Sequence, residues 1–168
     1  MSRPLLAILL VALVIGAATF VGRSTADHHV AASPGPDPAE FWSSLQKTSY
    51  HDWGTFPRRE RGFYPGNSPH GDLLKLFIDE TAASSPLEPA YGSIIVKENF
   101  TEDEELLSIT VMKRIEDFDP AHGDWWYAKY DPDGDIAMAD GAPIAGKVES
   151  CVNCHGAAEG ADFVFGNE

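Results

Sequence analysis

Apolar residues in the middle of the chain recur every second position. In Ser93 to Phe100, Ile94, Val96 and Phe100 share one side while Ile95, Lys97 and Asn99 share the other. In Leu106 to Ile115, Leu107, Ile109, Val111 and Ile115 oppose Ser108, Thr110 and Met112. This alternation predicts two strands, and the acidic stretch Thr101 to Glu105 between them predicts a hairpin. Trp125 to Tyr130 reads as an aromatic strand. Asp131 to Gly134, with proline second and glycine fourth, reads as a turn, and Asp135 to Ala139 as the return strand. The six-residue run Leu73 to Ile78, closed by polar Asp79 and Glu80, reads as a further strand in preference to a helical turn.

Helical signals are fewer. Asp37, Pro38 and Glu40 supply an N-cap, a first-turn proline and a carboxylate three residues after the cap, which predicts a short helix through about Lys47 with Phe41, Trp42 and Leu45 on its buried stripe. His51 to Pro69 mixes aromatics with Gly, Pro, Arg and Asn without a sustained period and reads as irregular. Ahead of the helix, residues 27–38 carry closely spaced prolines and form a linker. Residues 1–26 have the form of a signal peptide: Arg3, an apolar run from Leu5 to Val21, then small Ser24 and Ala26. The alternative is a retained N-terminal membrane anchor. A domain over 39–168 follows, and the expected location is periplasmic or secreted.

Charge narrows the partners. The 168 residues carry 12 Lys and Arg against 26 Asp and Glu, a formal charge of −14, and loss of residues 1–26 would remove Arg3 and Arg23 but no acid. Such a surface repels phosphate backbones, so nucleic acid is not an expected partner; basic proteins and small neutral or cationic ligands are. Asp131, Asp133 and Asp135 superficially resemble the start of a calcium loop, but the glycine comes too early and no glutamate closes the spacing, so they read as a turn.

The chemistry lies near the C-terminus, in Cys151-Val152-Asn153-Cys154-His155. This is the C-x-x-C-H spacing of c-type haem attachment. On a helix, residues three and four apart share a face, so both sulfurs can reach the vinyl groups along one haem edge while His155 reaches the iron as proximal ligand. A zinc site would need a further ligand from elsewhere, and a thioredoxin-like dithiol belongs after a strand in a βαβ unit. A disulfide is the remaining rival. No methionine follows His155, so a sixth iron ligand must come from upstream, from Met112, Met138, His51, His70 or His122, or the site stays open. The β-rich segments contradict a four-helix cytochrome c′.

With Ile95-Val96-Lys97-Glu98, Gly123-Asp124-Trp125-Trp126, the haem motif and the later Asp162-Phe163-Val164-Phe165, the sequence resembles the cytochrome P-460 and cytochrome c′-beta superfamily over about Ser93 to Phe165. The resemblance implies an α+β fold: an antiparallel β-sheet with flanking helices and one haem c against the sheet, attached near the C-terminus. It further implies a histidine-ligated iron with an open or weakly occupied distal side, and a homodimer. Members bind nitric oxide or carbon monoxide, and one branch oxidises hydroxylamine with a lysine linked to the porphyrin. Lys97 matches that lysine. The distal carboxylate of the hydroxylamine-oxidising branch should fall within Leu106 to Ile115, which has none; Thr110 and Met112 lie near its place. That departure implies an apolar distal side suited to gas binding, with Phe63, Phe77 and Phe100 as candidate caps. The resulting expectation is an exported monohaem cytochrome that binds or converts small nitrogen oxides and gives electrons to a basic cytochrome. The competing readings are a six-coordinate electron carrier and a haem-free disulfide protein.

Overall fold

A computed structural model of the chain describes residues 33–158 and 162–167; the expected signal peptide and the first part of the linker lie outside them. Among the described residues no helix is long and apolar enough to cross a membrane.

The first helix, α1 (Pro38–Lys47), begins where its sequence dictates. The Asp37 carboxylate accepts from the backbone N–H groups of Ala39 and Glu40, at 3.0 and 2.9 Å, and Phe41 and Leu45 are buried while Trp42 lies partly so. Strands β1 (Tyr64–Pro65), β2 (Leu73–Ile78), β3 (Ile94–Phe100), β4 (Leu106–Arg114) and β5 (Trp125–Tyr130) follow in chain order. With the late strand β8 (Ala145–Gly146) at one edge, they form an antiparallel sheet in the order β1-β2-β3-β4-β5-β8. The fold is therefore α+β, as the sequence predicted.

Register decides which side chains meet. Val96 pairs with Val111, Lys97 with Thr110 and Ile95 with Met112; across the next ladder Val111 pairs with Ala128, Thr110 with Lys129 and Met112 with Tyr127. One face thus gathers Val96, Ile109, Val111, Trp126, Ala128 and Tyr130 against Phe41 and Leu45 of α1. The opposite face gathers Leu76, Ile78, Ile95, Met112, Trp125 and Tyr127 against Phe56, Val152 and Val164. Because successive strand residues point to opposite faces, the adjacent tryptophans of β5 serve two separate cores.

Two readings of the pattern need correction. Leu107 does not share the face of Ile109: Phe100 pairs with Leu106 and Asn99 with Ser108, so Leu107 is the extra residue of a bulge and is exposed, while Leu106 packs on the α1 side. The return strand after the Asp131–Gly134 turn is also shorter than predicted. The turn closes, with Gly134 N–H donating to Asp131 O at 2.9 Å, and Ile136 bridges Tyr130. Then Asp140 and Gly141, both at positive φ, form a two-residue hairpin turn that pairs β6 (Met138–Ala139) with β7 (Ala142–Pro143). Asp-Gly suits such a turn because both central positions need left-handed backbone. The edge beside β5 is filled by β8 instead.

A short helix, α2 (Glu80–Ser84), was not apparent from the apolar pattern. Asp79 caps it, accepting from Ala82 N–H at 2.9 Å, and the same oxygen accepts from Ile94 N–H at 3.0 Å, which ties the end of β2 to the start of β3. The last helix, α3 (Glu149–His155), lies over the second sheet face.

Candidate cofactor site

Between α3 and the second face of the sheet lies an open-sided cavity of about 210 Å³, lined mainly by apolar side chains. Lys97, Cys151, Cys154 and His155 all line it, so the four residues singled out in the sequence meet at one place. The cysteines sit three apart on α3 and are both free thiols; Cys151 is half-buried and Cys154 exposed. Burial pushes the Cys151 thiol up from its usual range, partly countered by a hydrogen bond with Ser150.

His155 is buried, and its ring is fixed from behind. Its Nδ1 lies 2.8 Å from the carbonyl oxygen of Phe163. A carbonyl only accepts, so Nδ1 carries the proton and Nε2 keeps its lone pair, the arrangement common to metal-bound histidines. This gives the Asp162-Phe163-Val164-Phe165 segment a physical role. Trp125 Nε1 donates to Asp162 O at 2.7 Å, anchoring the segment to β5 while the next carbonyl orients His155. Burial pulls the basicity of His155 down, the Phe163 contact opposes this, and the Lys97 charge adds to it.

On the facing strand, Lys97 sits half-buried, and its amine has no hydrogen bond or ion pair among the described residues. Burial first and the Arg59 guanidinium second hold its pKa down to about 8, against a small upward pull from Cys154. Its strand neighbours Thr110 and Met112 also line the cavity, as expected, and β4 carries no carboxylate.

The polar side of the cavity differs from the apolar one expected. His70, which directly follows the segment without periodicity, enters it, and Lys129 and Tyr127 follow from the register of β5. Asn99 is fully buried; its Nδ2 faces the carbonyls of Ser108 and Lys97 at 3.1 and 3.3 Å, so its Oδ1 is the atom 3.1 Å from His70 Nδ1. That oxygen accepts, so the proton of His70 sits on Nδ1 and its Nε2 lone pair is free. Burial, then the Lys97 and His155 charges, push the His70 pKa down to about 3, with Asn99 opposing.

Of the other residues named as iron ligands, His51 bonds Glu98 at 2.7 Å, His122 bonds Asp119 at 3.0 Å and Met138 is exposed on β6; none lines the cavity. The candidate caps also fall elsewhere. Phe77 packs on Tyr50 and His51, and Phe63 pairs with Phe100. Phe56 and Phe165 line the cavity instead. Phe56 lies in the segment without a period, which assigns it no face, and Phe165 belongs to the C-terminal motif, whose spacing does not direct its side chains.

The residues present fit a covalently bound haem. The cavity is open-sided and mostly apolar, two free thiols lie at its edge on one helical turn, and an imidazole offers a lone pair held from behind. The hydroxyl of Tyr127 is also buried, without a partner among the described residues. Comparison with curated proteins finds no match. The family model described as Cytochrome P460 matches residues 49–166, more than half of the chain, from the irregular segment through the C-terminal motif. The chain belongs to the cytochrome P460 family, and its cofactor is a covalently attached haem c.

Proposed function

We propose that this protein is an exported monohaem cytochrome in which Cys151 and Cys154 form the haem thioethers, His155 Nε2 ligates the iron, and the cavity beside Lys97 admits small nitrogen oxides such as nitric oxide or hydroxylamine. The observation that carries the reading is Lys97: an amine without a partner, its basicity lowered, on the cavity wall that also holds Thr110 and His70. When bound, the haem supplies an iron that coordinates small ligands and exchanges single electrons. The chain's residues supply the surroundings. Phe163 O holds the proton on His155 Nδ1, which raises the donor strength of Nε2. Leu76, Ile95 and Met112 keep the wall largely dry. Lys97 acts as hydrogen-bond donor to a ligand when protonated, and when neutral it offers a lone pair to the porphyrin edge; a covalent link there would replace a ring C–H bond and require a two-electron oxidant, with two protons released.

Without a carboxylate on β4, proton transfer from hydroxylamine has no acid–base pair of the usual kind at Thr110. Ligand binding is thus the better supported part of the reading, and oxidation the lesser. The test is the ferrous spectrum of the haem-loaded protein and of Lys97→Ala, with nitric oxide and carbon monoxide added. The reading predicts that ligand binding changes both spectra. A red-shifted ferrous band lost in Lys97→Ala identifies the lysine link; proteins that bind neither gas contradict the reading.

A further inference from the structure

His70 and His155 belong to distant parts of the chain, yet both line the cavity, with ring centroids 6.3 Å apart and planes at 89°. Metal–imidazole nitrogen bonds run to about 2 Å and a ring nitrogen lies roughly 1.2 Å from its ring centre, so two imidazoles sharing one metal from opposite sides stand about 6.4 Å apart. Each ring is also prepared in the same way. Asn99 Oδ1 holds the Nδ1 proton of His70 and Phe163 O holds that of His155, leaving Nε2 as the free lone pair on both. Thr110 Oγ1, 3.4 Å from His70 Nδ1, adds a polar neighbour on the same side, and Asn99 Nδ2 is fixed in turn by the Ser108 and Lys97 carbonyls. A histidine meant only to hydrogen-bond an iron-bound ligand would have to stand back by roughly the length of a further hydrogen bond, close to 3 Å. His70 does not stand back.

From this geometry we infer that His70 is the second axial ligand of the iron in the resting protein, so that a small ligand binds only by displacing it. The inference rests on the haem reading above and adds to it a built-in competitor for the open side. The segment that carries His70 has the means to let go. It holds no strand longer than the two residues of β1, and the direct side-chain hold on the ring is one hydrogen bond to Asn99 with the longer Thr110 contact. An internal ligand of this kind lowers apparent ligand affinity by the fraction of time it is away. Met112, the candidate ligand from the sequence that also lines the cavity, sits in mid-strand on β4 and has no such freedom.

The experiment uses the haem-loaded full chain, its His70→Ala variant, and that variant with added imidazole, followed by absorption and electron paramagnetic resonance in the ferric state. The wild type should be low-spin, with the strongly anisotropic signal expected of two imidazoles at near right angles. His70→Ala should be high-spin, imidazole should return it to low-spin, and carbon monoxide should bind its ferrous form at least tenfold faster than the wild type. A high-spin wild type, or a variant that stays low-spin, overturns the inference. The wild-type resonance decides the matter even if the variant fails to fold. Failure of the reading on which the inference rests would look different, as an iron that takes up no gas in either protein.

Discussion

Asn99 organises the cavity from inside the sheet. Fully buried, it donates to two backbone carbonyls and accepts from His70, so an Asn99→Leu substitution keeps the shape but leaves His70 Nδ1 and the Thr110 hydroxyl short of a partner. A buried polar group left unsatisfied costs about 1–3 kcal/mol. Urea unfolding of Asn99→Leu should show a loss of that size; a loss within ~0.5 kcal/mol would show that water replaces the amide. His70 itself gives a pH dependence. In the haem-free chain, where the ring is unligated, its pKa is about 3 when folded against 6.5 unfolded, so between these values the unfolded chain binds a proton that the folded chain refuses. Stability of the haem-free chain therefore falls as pH drops from 6.5 toward 3, and His70→Asn should flatten that fall in a series of urea midpoints taken on that form. An unchanged slope would remove His70 from the account of acid sensitivity. The haem motif was legible from its spacing; Lys97 stood out through the family resemblance, with strand alternation giving only its face. His70 could be named only as one of five candidate ligands, and Phe56 not at all, since a stretch without a period gives no direction to its side chains.

At the scale of elements, the sheet was legible where residues alternate and obscure where a turn overrides the pattern. β3, β4 and β5 follow their alternation, while the bulge at Leu107 and the Asp140-Gly141 turn shift pairing by local backbone geometry that apolar spacing does not encode. The preceding turn supplies a test. Gly134 has φ +94°, and a Cβ there would run into the indole of Trp42, which packs on Tyr130 with ring centres 4.8 Å apart. Gly134→Ala therefore strains the backbone and displaces a core aromatic, with an expected cost of about 1–3 kcal/mol. A thermal midpoint equal to the wild type's would mean that the turn and α1 are not coupled through Trp42. The β4–β5 face is a second test of the same scale. Trp126, 2% exposed and set edge-on to Phe41 at 5.1 Å, joins the sheet to α1, and Trp126→Ala should cost about 3–5 kcal/mol in the same measurement.

For the molecule as a whole, the two faces of the sheet divide the work. One binds α1 and makes a closed core; the other leaves a cavity that α3 and the C-terminal segment border. Net charge acts outside both. With a formal charge of −14, electron exchange with a basic redox protein should slow as ionic strength rises past physiological values, where charges are screened beyond about 8 Å. A rate indifferent to salt would point to a partner chosen by shape. The division into a closed and an open face follows from strand register, and the position of the haem motif could be read at once. What covers the open face could not, because it is assembled from segments far apart in the chain. The account stands or falls on how the haem is held, and mass spectrometry of the denatured, protease-digested protein measures that directly. The account predicts one haem retained on the peptide holding Cys151 and Cys154, with a second attachment to the peptide holding Lys97 if the lysine link forms. An unmodified peptide, or one carrying a Cys151–Cys154 disulfide, would contradict it.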